Sequence, residues 1–179
     1  MTDPDLPLIA VFGSGAAPAA DIDRARRLGR ALAEAGYGII NGGYGGTMDA
    51  SAAGAREAGG FTVGVTCRAF TFRSGPNPHL LEIVEAPTLT ARIETLLTRA
   101  AGYVVLPGGN GTLAELSLAW EHVRKGLLPA ERPLVVWSDP WRPVVELLEG
   151  GPYLGPGAGA IAWVDGVEGA VAEIRRRLG

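Results

Sequence analysis

Several residue types that carry particular chemistry are scarce in this chain of 179 residues. The single cysteine, Cys67, excludes an internal disulfide and a cysteine-rich metal site. The single lysine, Lys125, is the only candidate for chemistry that requires an amine. The two histidines, His79 and His122, lack the spacing of metal ligands, so we predict no metal site.

Long apolar runs and an excess of positive charge are also missing. No apolar stretch approaches the roughly 20 residues needed to cross a bilayer. The N-terminal segment MTDPDLPLIAVF lacks the basic region of a signal peptide. The formal net charge of −3 provides no general attraction to nucleic acid. We therefore expect a cytoplasmic protein that binds neither a membrane nor a nucleic acid.

What is present is a regular alternation of apolar runs and segments with helical spacing. Strands are predicted at residues 8–12, 38–40, 61–65, 82–84, 103–106, 133–137 and 161–164. Helices are predicted between them, starting near Asp21, which can cap the first, then near Thr47, Thr90, Thr112, Val144 and Val167. Near-continuous apolar strands separated by helices indicate a parallel sheet covered on both faces. We predict an α/β fold: a single Rossmann-like domain over residues 1–179, a three-layer α/β/α sandwich with a mainly parallel sheet.

Three of the loops that follow predicted strands are rich in glycine. The first contains Gly13, Ser14 and Gly15, and the other two, GGYGGTM and GGNGTL, each carry a threonine at the start of a helix. In a parallel sheet these loops lie at the same edge, where ligands bind. Glycines let a ligand approach the backbone, and helix N-termini favour a phosphate. Two similar loops therefore favour a phosphate site, although glycines that only make tight turns are the alternative.

The candidate phosphate- and nucleotide-binding residues come from these loops. They are Gly13, Ser14, Gly42, Gly43, Gly45, Gly46, Thr47, Gly108, Gly109, Asn110, Gly111 and Thr112. The loops do not match the common nucleotide motifs. GGNGT lacks the lysine of a P-loop, and the second strand ends in Asn41 rather than the acid that binds a ribose diol.

Glu115 can be interpreted in two ways. Thr112 and Glu115 have the T-x-x-E spacing of a capping box, in which both side chains satisfy free backbone N–H groups. A carboxylate next to a phosphate-binding loop can also reach the sugar that carries the phosphate. The spacing alone favours the cap.

The segment PGGNGTLAE resembles the PGGxGTxxE motif of the LOG family, also known as the "possible lysine decarboxylase" family. The resemblance covers roughly residues 8–137 and includes the glycine loop that precedes Met48. It also includes Arg92, which stands fifteen residues before Pro107. It implies a Rossmann-like homodimer that binds nucleoside monophosphates such as AMP. Characterised members are phosphoribohydrolases, which cleave the N-glycosidic bond of cytokinin riboside 5′-monophosphates or AMP to yield free base and ribose 5-phosphate.

The resemblance also implies roles for individual residues. Gly108, Gly109, Gly111 and Thr112 would hold the 5′-phosphate, and Arg92 and Glu115 would be catalytic. A carboxylate can stabilise the oxocarbenium-like state of glycoside cleavage, and an arginine can bind a phosphate or a carboxylate through two hydrogen bonds. Without the family spacing, Arg92 would be interpreted as a solvated helix residue, paired with Glu94 or Glu85.

The chain departs from the family pattern at some positions and is similar to a divergent bacterial-type member. Ile93 follows Arg92 where many members have lysine, and Asn110 stands where many have an aromatic residue. Lysine decarboxylase activity is rejected, since Lys125 fits an exposed ion pair with Glu121 better than a Schiff base.

Two other functions remain open from the sequence. A nucleotide or molybdenum-cofactor carrier would use the same loops without turnover. Single-stranded DNA binding, by analogy with DprA, is disfavoured by the negative net charge. We predict no bound cofactor for the hydrolase.

Overall fold

The computed structural model describes residues 6–70, 75–128, 132–152 and 159–179. In these residues the strands are β1 (Leu8–Phe12), β2 (Gly38–Asn41), β3 (Thr62–Cys67), β4 (Glu82–Ala86), β5 (Gly102–Val105), β6 (Leu134–Trp137) and β7 (Ile161–Val164). The helices are α1 (Ala19–Glu34), α2 (Thr47–Glu57), α3 (Leu89–Arg99), α4 (Asn110–Arg124), α5 (Ser138–Glu149) and α6 (Val167–Leu178). Among the described residues, no helix is both long and apolar enough to span a bilayer.

The strands form one parallel sheet in the order β4-β3-β2-β1-β5-β6-β7. The chain first extends the sheet from β1 towards β4 and then returns to the other side of β1 with β5. The strand order therefore reverses between β1 and β5, and in open α/β sheets ligands bind outside the carboxyl ends of the strands at this position. The loops after β1, β2 and β5 are the three predicted glycine loops.

Helices cover both faces of the sheet. Buried residues of α1, α2 and α6 form one apolar cluster with Ile9, Val11 and Val104. Buried residues of α3, α4 and α5 form the other, with Ala10, Phe12 and Val105. Neighbouring residues of one strand thus point into opposite clusters, as strand geometry requires. The predicted Rossmann-like three-layer sandwich is confirmed.

The helices α1 and α2 pack unusually closely on their shared face. A Cβ atom on Gly29 would lie 2.0 Å from the carbonyl oxygen of Ser51, and one on Gly54 would lie 1.9 Å from that of Arg26. Only residues without a side chain fit this contact, so the two glycines set how closely α2 approaches α1. This packing positions the N-terminus of α2, where the second glycine loop ends.

The sequence placed several helix starts incorrectly. Helix α1 begins at Ala19 after Pro18, so Asp21 lies in the first turn and does not cap the helix. Helix α3 is capped by Thr88, whose hydroxyl accepts from the N–H of Ala91 at 3.1 Å, and not by Thr90. Helix α5 begins at Ser138 and is longer than the predicted segment. Of these three helices only α3 has a side-chain cap, so the residues with the chemistry of a cap did not by themselves mark the helix starts.

Candidate active site

The three glycine loops meet around one cavity of about 490 Å³ at the carboxyl edge of the sheet. Gly13 and Gly15 line it from the loop after β1, and Gly42 and Gly45 line it from the loop after β2. Gly111, in the first turn of α4, lines it from the third loop. Arg92 and Glu115 also line this cavity. The structure therefore brings the predicted loops and both predicted catalytic residues together.

Other candidate residues lie near the cavity without lining it. Gly43 and Gly46 have φ angles of 79° and 67°, and they shape the turn between β2 and α2. Gly109 and Asn110 are exposed at the start of α4. Gly108 packs against Thr112, since a Cβ atom on Gly108 would lie 2.2 Å from the Thr112 hydroxyl oxygen.

The two loop threonines are both buried, but their hydroxyl groups differ. The Thr47 hydroxyl donates to the carbonyl of Ser14 at 3.2 Å, and the Thr47 N–H donates to the same carbonyl at 2.9 Å. Thr47 therefore joins the first two loops. The Thr112 hydroxyl makes no hydrogen bond with any residue in the described part of the chain. A buried polar group without a partner is uncommon and needs an explanation.

The predicted capping box in α4 is wrong. The helix begins at Asn110 after Gly109, with no side-chain cap, so Thr112 is its third residue. Glu115 lies further along, in the second turn, where its carboxylate contacts Arg92 instead of a free backbone N–H. The T-x-x-E spacing is present, but the N-cap is Gly109, three residues before Thr112, so neither side chain is in a capping position.

Arg92 and Glu115 form a buried ion pair. Nη1 of Arg92 lies 3.3 Å from Oε1 of Glu115, and the two residues are only 6% and 7% exposed. Nε of Arg92 donates to the carbonyl of Val65 at 2.7 Å. The alternative of a solvated Arg92 paired with Glu85 is wrong, because Glu85 pairs with Arg68.

Burial dominates the electrostatics of Glu115. Removal from water raises the pKa of its carboxyl to about 7, and the charge and hydrogen bond of Arg92 oppose this rise. A carboxyl group with a pKa near neutrality can exchange a proton at physiological pH, which is the property expected of an acid–base or charge-stabilising group in catalysis.

Two aromatic rings and a thioether surround the Arg92 guanidinium. Its Cζ lies 5.9 Å from the centroid of the Tyr44 ring and 6.0 Å from that of Phe70. Nη2 lies 3.9 Å from the sulfur of Met48. A cation over an aromatic face gains electrostatic energy, and this gain grows when water is excluded. The cavity wall thus contacts the Arg92 cation through two aromatic rings as well as through hydrogen bonds from its N–H groups.

Asn41 holds the second glycine loop in place, a role that sequence reasoning missed. Its side chain is fully buried, and Nδ2 donates to the Met48 carbonyl at 2.8 Å and contacts the Ser51 hydroxyl at 3.2 Å. Oδ1 accepts from the N–H of Gly43 at 2.9 Å. A polar residue at the end of an otherwise apolar strand was the available signal for this role.

The remaining cavity wall is largely apolar. Beyond the glycines and the ion pair, the residues that line it are Val11, Ala16, Tyr44, Met48, Phe70, Leu89, Ile93 and Ala114. Ile93 and Ala114 are the sequence neighbours of Arg92 and Glu115, which could have suggested their positions. The predicted binding loop over residues 67–79 contributes Phe70, and its residues 71–74 lie outside the described residues.

The single lysine and the two histidines do not line the cavity. Lys125 pairs with Glu121 at 2.7 Å on the exposed side of α4, as expected. His79 contacts Asp49 at 2.8 Å, and His122 contacts the Leu118 carbonyl at 2.7 Å. Within the ranges that the structure covers, no group of three or more His, Cys, Asp or Glu residues could hold a metal ion.

Comparison with known proteins identifies the family to which this chain belongs. The profile of the SLOG cluster4 family matches residues 6–131, and the chain is therefore a member of that family. The resemblance to the LOG family inferred from PGGNGTLAE is thereby confirmed. A curated relative named cytokinin riboside 5′-monophosphate phosphoribohydrolase, from Mycobacterium tuberculosis, is 33% identical over 135 residues, covering 74% of this chain and 71% of the relative.

Solved structures with a similar fold include two molybdenum cofactor proteins. The molybdenum cofactor carrier protein of Chlamydomonas reinhardtii superposes with a TM-score of 0.76 at 25% identity, covering 97% of this chain and 98% of that one. The molybdenum cofactor binding protein of Rippkaea orientalis has a TM-score of 0.78 over 99% of this chain and 100% of its own, and its 20% identity shows the fold alone.

Proposed function

We propose that this protein is a phosphoribohydrolase that cleaves the N-glycosidic bond of a purine-type nucleoside 5′-monophosphate, which includes AMP and cytokinin ribotides. The products are the free base and ribose 5-phosphate. The observation that carries the proposal is the buried Arg92–Glu115 pair in a cavity bounded by three glycine loops. The relative from Mycobacterium tuberculosis, named for this activity, supports it.

The start of α4 provides the groups that we assign to the phosphate. The first intrahelical bond runs from the N–H of Leu113 to the carbonyl of Gly109, so the N–H groups of Asn110, Gly111 and Thr112 have no helical acceptor. These N–H groups and the positive end of the helix dipole suit a phosphate. A phosphate oxygen would also provide the buried Thr112 hydroxyl with the acceptor that it lacks.

Glu115 is positioned to act on the sugar in this assignment. When the bond from C1′ to the base nitrogen breaks, its electron pair leaves with the base and positive charge develops at C1′. An ionised Glu115 can stabilise that charge or orient water to add at C1′. The water leaves its hydroxyl on the sugar, and its other proton balances the base nitrogen. The apolar wall with Met48, Leu89 and Ile93 suits the flat base.

The test is base release from AMP and from an N6-modified AMP, followed by chromatography at several pH values. Wild type should release base, and Glu115→Gln should lose at least about a hundredfold in kcat, in the range typical of acid–base residues. Lys125→Met, a change on the exposed side of α4, should release base at the wild-type rate. No release by wild type, or equal release by Glu115→Gln, would refute the assignment.

A carrier function is the second candidate. It is supported by the likeness to the Chlamydomonas reinhardtii carrier, which extends over 97% of this chain. In this case the loops would hold the phosphate of the cofactor, and no bond would be cleaved. The protein would be mixed with free molybdenum cofactor, separated by gel filtration and assayed for molybdenum and pterin. Stoichiometric retention without base release from nucleotides would favour the carrier.

We also propose that the protein is a homodimer, as its family resemblance implies. Leu89 lines the cavity and is nevertheless 48% exposed, and Leu118 on α4 is 38% exposed. A second copy covering these residues would remove apolar surface from water. Light scattering after gel filtration should yield twice the chain mass of 18.5 kDa. A mass of one chain at micromolar concentration would contradict the dimer.

A further inference from the structure

The contact between Arg92 and Glu115 is sensitive to the position of the guanidinium. A single hydrogen bond of 3.3 Å joins the two side chains, which is near the outer limit for such a bond. A shift of a few tenths of an ångström would break it. Whatever fixes the guanidinium therefore decides whether Glu115 keeps its hydrogen bond to Arg92.

The Val65 carbonyl fixes only one point of that guanidinium, the Nε atom. The two aromatic rings lie beside the charged carbon, with Cζ over the ring of Tyr44 at 5.9 Å and over that of Phe70 at 6.0 Å. The rings also contact each other, with centroids 5.7 Å apart. Because the guanidinium is a rigid plane, an arginine held mainly at Nε can still pivot as a whole about that hydrogen bond, and the two rings oppose this movement.

Tyr44 is itself held at both ends. Its hydroxyl oxygen accepts from the Cys67 N–H at 2.8 Å and donates to the Cys67 carbonyl at 3.3 Å. Its main-chain carbonyl accepts from Nδ2 of Asn77 at 3.0 Å. These bonds tie the tip of the ring to the end of β3 and its backbone to the segment before β4. The ring is therefore a fixed wall of the cavity.

We propose that Tyr44 is a positioning residue that holds the Arg92 guanidinium against Glu115, with Phe70 as the second ring of the same clamp. The inference rests on the proposed function, in which Glu115 acts at the sugar carbon. It assigns to the tyrosine of GGYGGTM a role in the ion pair, which differs from binding of the phosphate.

The positioning role of Tyr44 can be measured through the effect of the Arg92 charge on the pKa of the Glu115 carboxyl. Among the described residues, Arg92 is the charged group that acts on the Glu115 carboxyl, and it lowers the pKa that burial raises. An opposite charge nearby lowers a carboxyl pKa by about 1 to 3 units, so a displaced guanidinium should raise the Glu115 midpoint by about half a unit or more. Loss of packing alone, with the pair intact, would leave the midpoint in place or, by admitting water, lower it, since burial is the main cause of the raised pKa.

The experiment is an NMR titration of the full-length protein with 13C-labelled glutamate carboxyl groups. The Glu115 signal is assigned by its absence in Glu115→Gln. Tyr44→Leu and Phe70→Leu each remove one ring, and Tyr44→Phe keeps the ring but loses the hydroxyl bonds to Cys67. Tyr103→Phe is the matched control, because it removes a hydroxyl that donates to the Leu97 carbonyl and does not line the cavity.

The expected result is a Glu115 midpoint raised by about half a unit or more in Tyr44→Leu and Phe70→Leu, by less in Tyr44→Phe, and unchanged in Tyr103→Phe. An unchanged midpoint in folded Tyr44→Leu overturns the proposal. If circular dichroism shows that Tyr44→Leu does not fold, Phe70→Leu and Tyr44→Phe decide, and unchanged midpoints in both overturn it. The titration needs no turnover, so a wild type that releases no base refutes the hydrolase while the clamp is still tested.

Discussion

Gly42 lies directly against the guanidinium of Arg92. A Cβ atom on Gly42 would be 1.6 Å from Nη2 of Arg92 and 2.6 Å from the sulfur of Met48. A side chain at this position would therefore displace the Arg92 guanidinium or the Met48 sulfur, independently of any ligand. The second glycine loop and the buried ion pair are one packed unit, in which a change to one moves the other.

Gly42→Ala should expel the guanidinium from its place. Overpacking of this kind costs about 1 to 3 kcal/mol of unfolding free energy, which urea denaturation would measure. Base release from AMP should fall at least about tenfold, since a misplaced catalytic group costs rate steeply. Gly45→Ala is the stability control, because its nearest atom would be the Gly15 oxygen at 3.9 Å. Equal stability of Gly42→Ala and wild type would contradict this interpretation.

Gly111→Ala should separate the binding role of a glycine from its structural role. An added Cβ atom meets nothing within 4 Å, and the residue lies in the first turn of α4. Alanine favours a helix over glycine by up to about 1 kcal/mol, so stability should be equal or higher. If a phosphate approaches this backbone, AMP affinity measured by calorimetry should nevertheless fall at least about tenfold. Unchanged affinity would remove Gly111 from the phosphate site.

The raised pKa of the Glu115 carboxyl predicts that the unfolding free energy depends on pH. Burial raises the pKa of its carboxyl from the ordinary 4.5 to about 7, so the folded protein binds this proton more tightly than the unfolded chain. Its stabilisation is complete below about pH 4.5 and is lost as the pH rises through about 7. Between these values, the unfolding free energy of wild type relative to Glu115→Gln should fall by roughly 3 kcal/mol.

Urea denaturation at several pH values would measure this difference. Glu121→Gln is the comparison with the opposite sign, because hydrogen bonds from Lys125 and Arg124 lower the pKa of the exposed Glu121 carboxyl. Its contribution should be lost as the pH falls. A difference between wild type and Glu115→Gln that does not vary with pH would show that Glu115 titrates normally.

Asn41→Ala should loosen the second glycine loop. It leaves the Gly43 N–H without its side-chain acceptor and removes one donor from the Met48 carbonyl, to which the Ser51 hydroxyl still donates at 3.0 Å. The loss costs roughly 1 to 3 kcal/mol of unfolding free energy. Amide hydrogen exchange should quicken in residues 42–48 and less elsewhere. Asn110→Ala, at an exposed position, should change stability by no more than about 0.5 kcal/mol. Equal exchange rates in both variants would contradict the role of Asn41 in holding the second glycine loop in place.

The strands could be predicted from the sequence because strands that are buried on both sheet faces consist of continuous apolar runs. All seven predicted strands exist within the described residues, and the alternation with helices led to the correct fold class. The first residues of the helices were predicted less accurately. Asp21, Thr90 and Thr112 each had the chemistry of a cap, yet α1, α3 and α4 begin elsewhere.

By itself, the sequence determined the strand order in the chain, the glycine loops and the family, since these follow from local composition and short motifs. Only the tertiary structure decided that Glu115 faces Arg92 instead of a backbone N–H, and that Asn41 and Tyr44 hold the surrounding loop and guanidinium. Those contacts join residues up to 48 positions apart, as between Tyr44 and Arg92. Local spacing carries no information about such distances, because packing of whole helices against the sheet sets them.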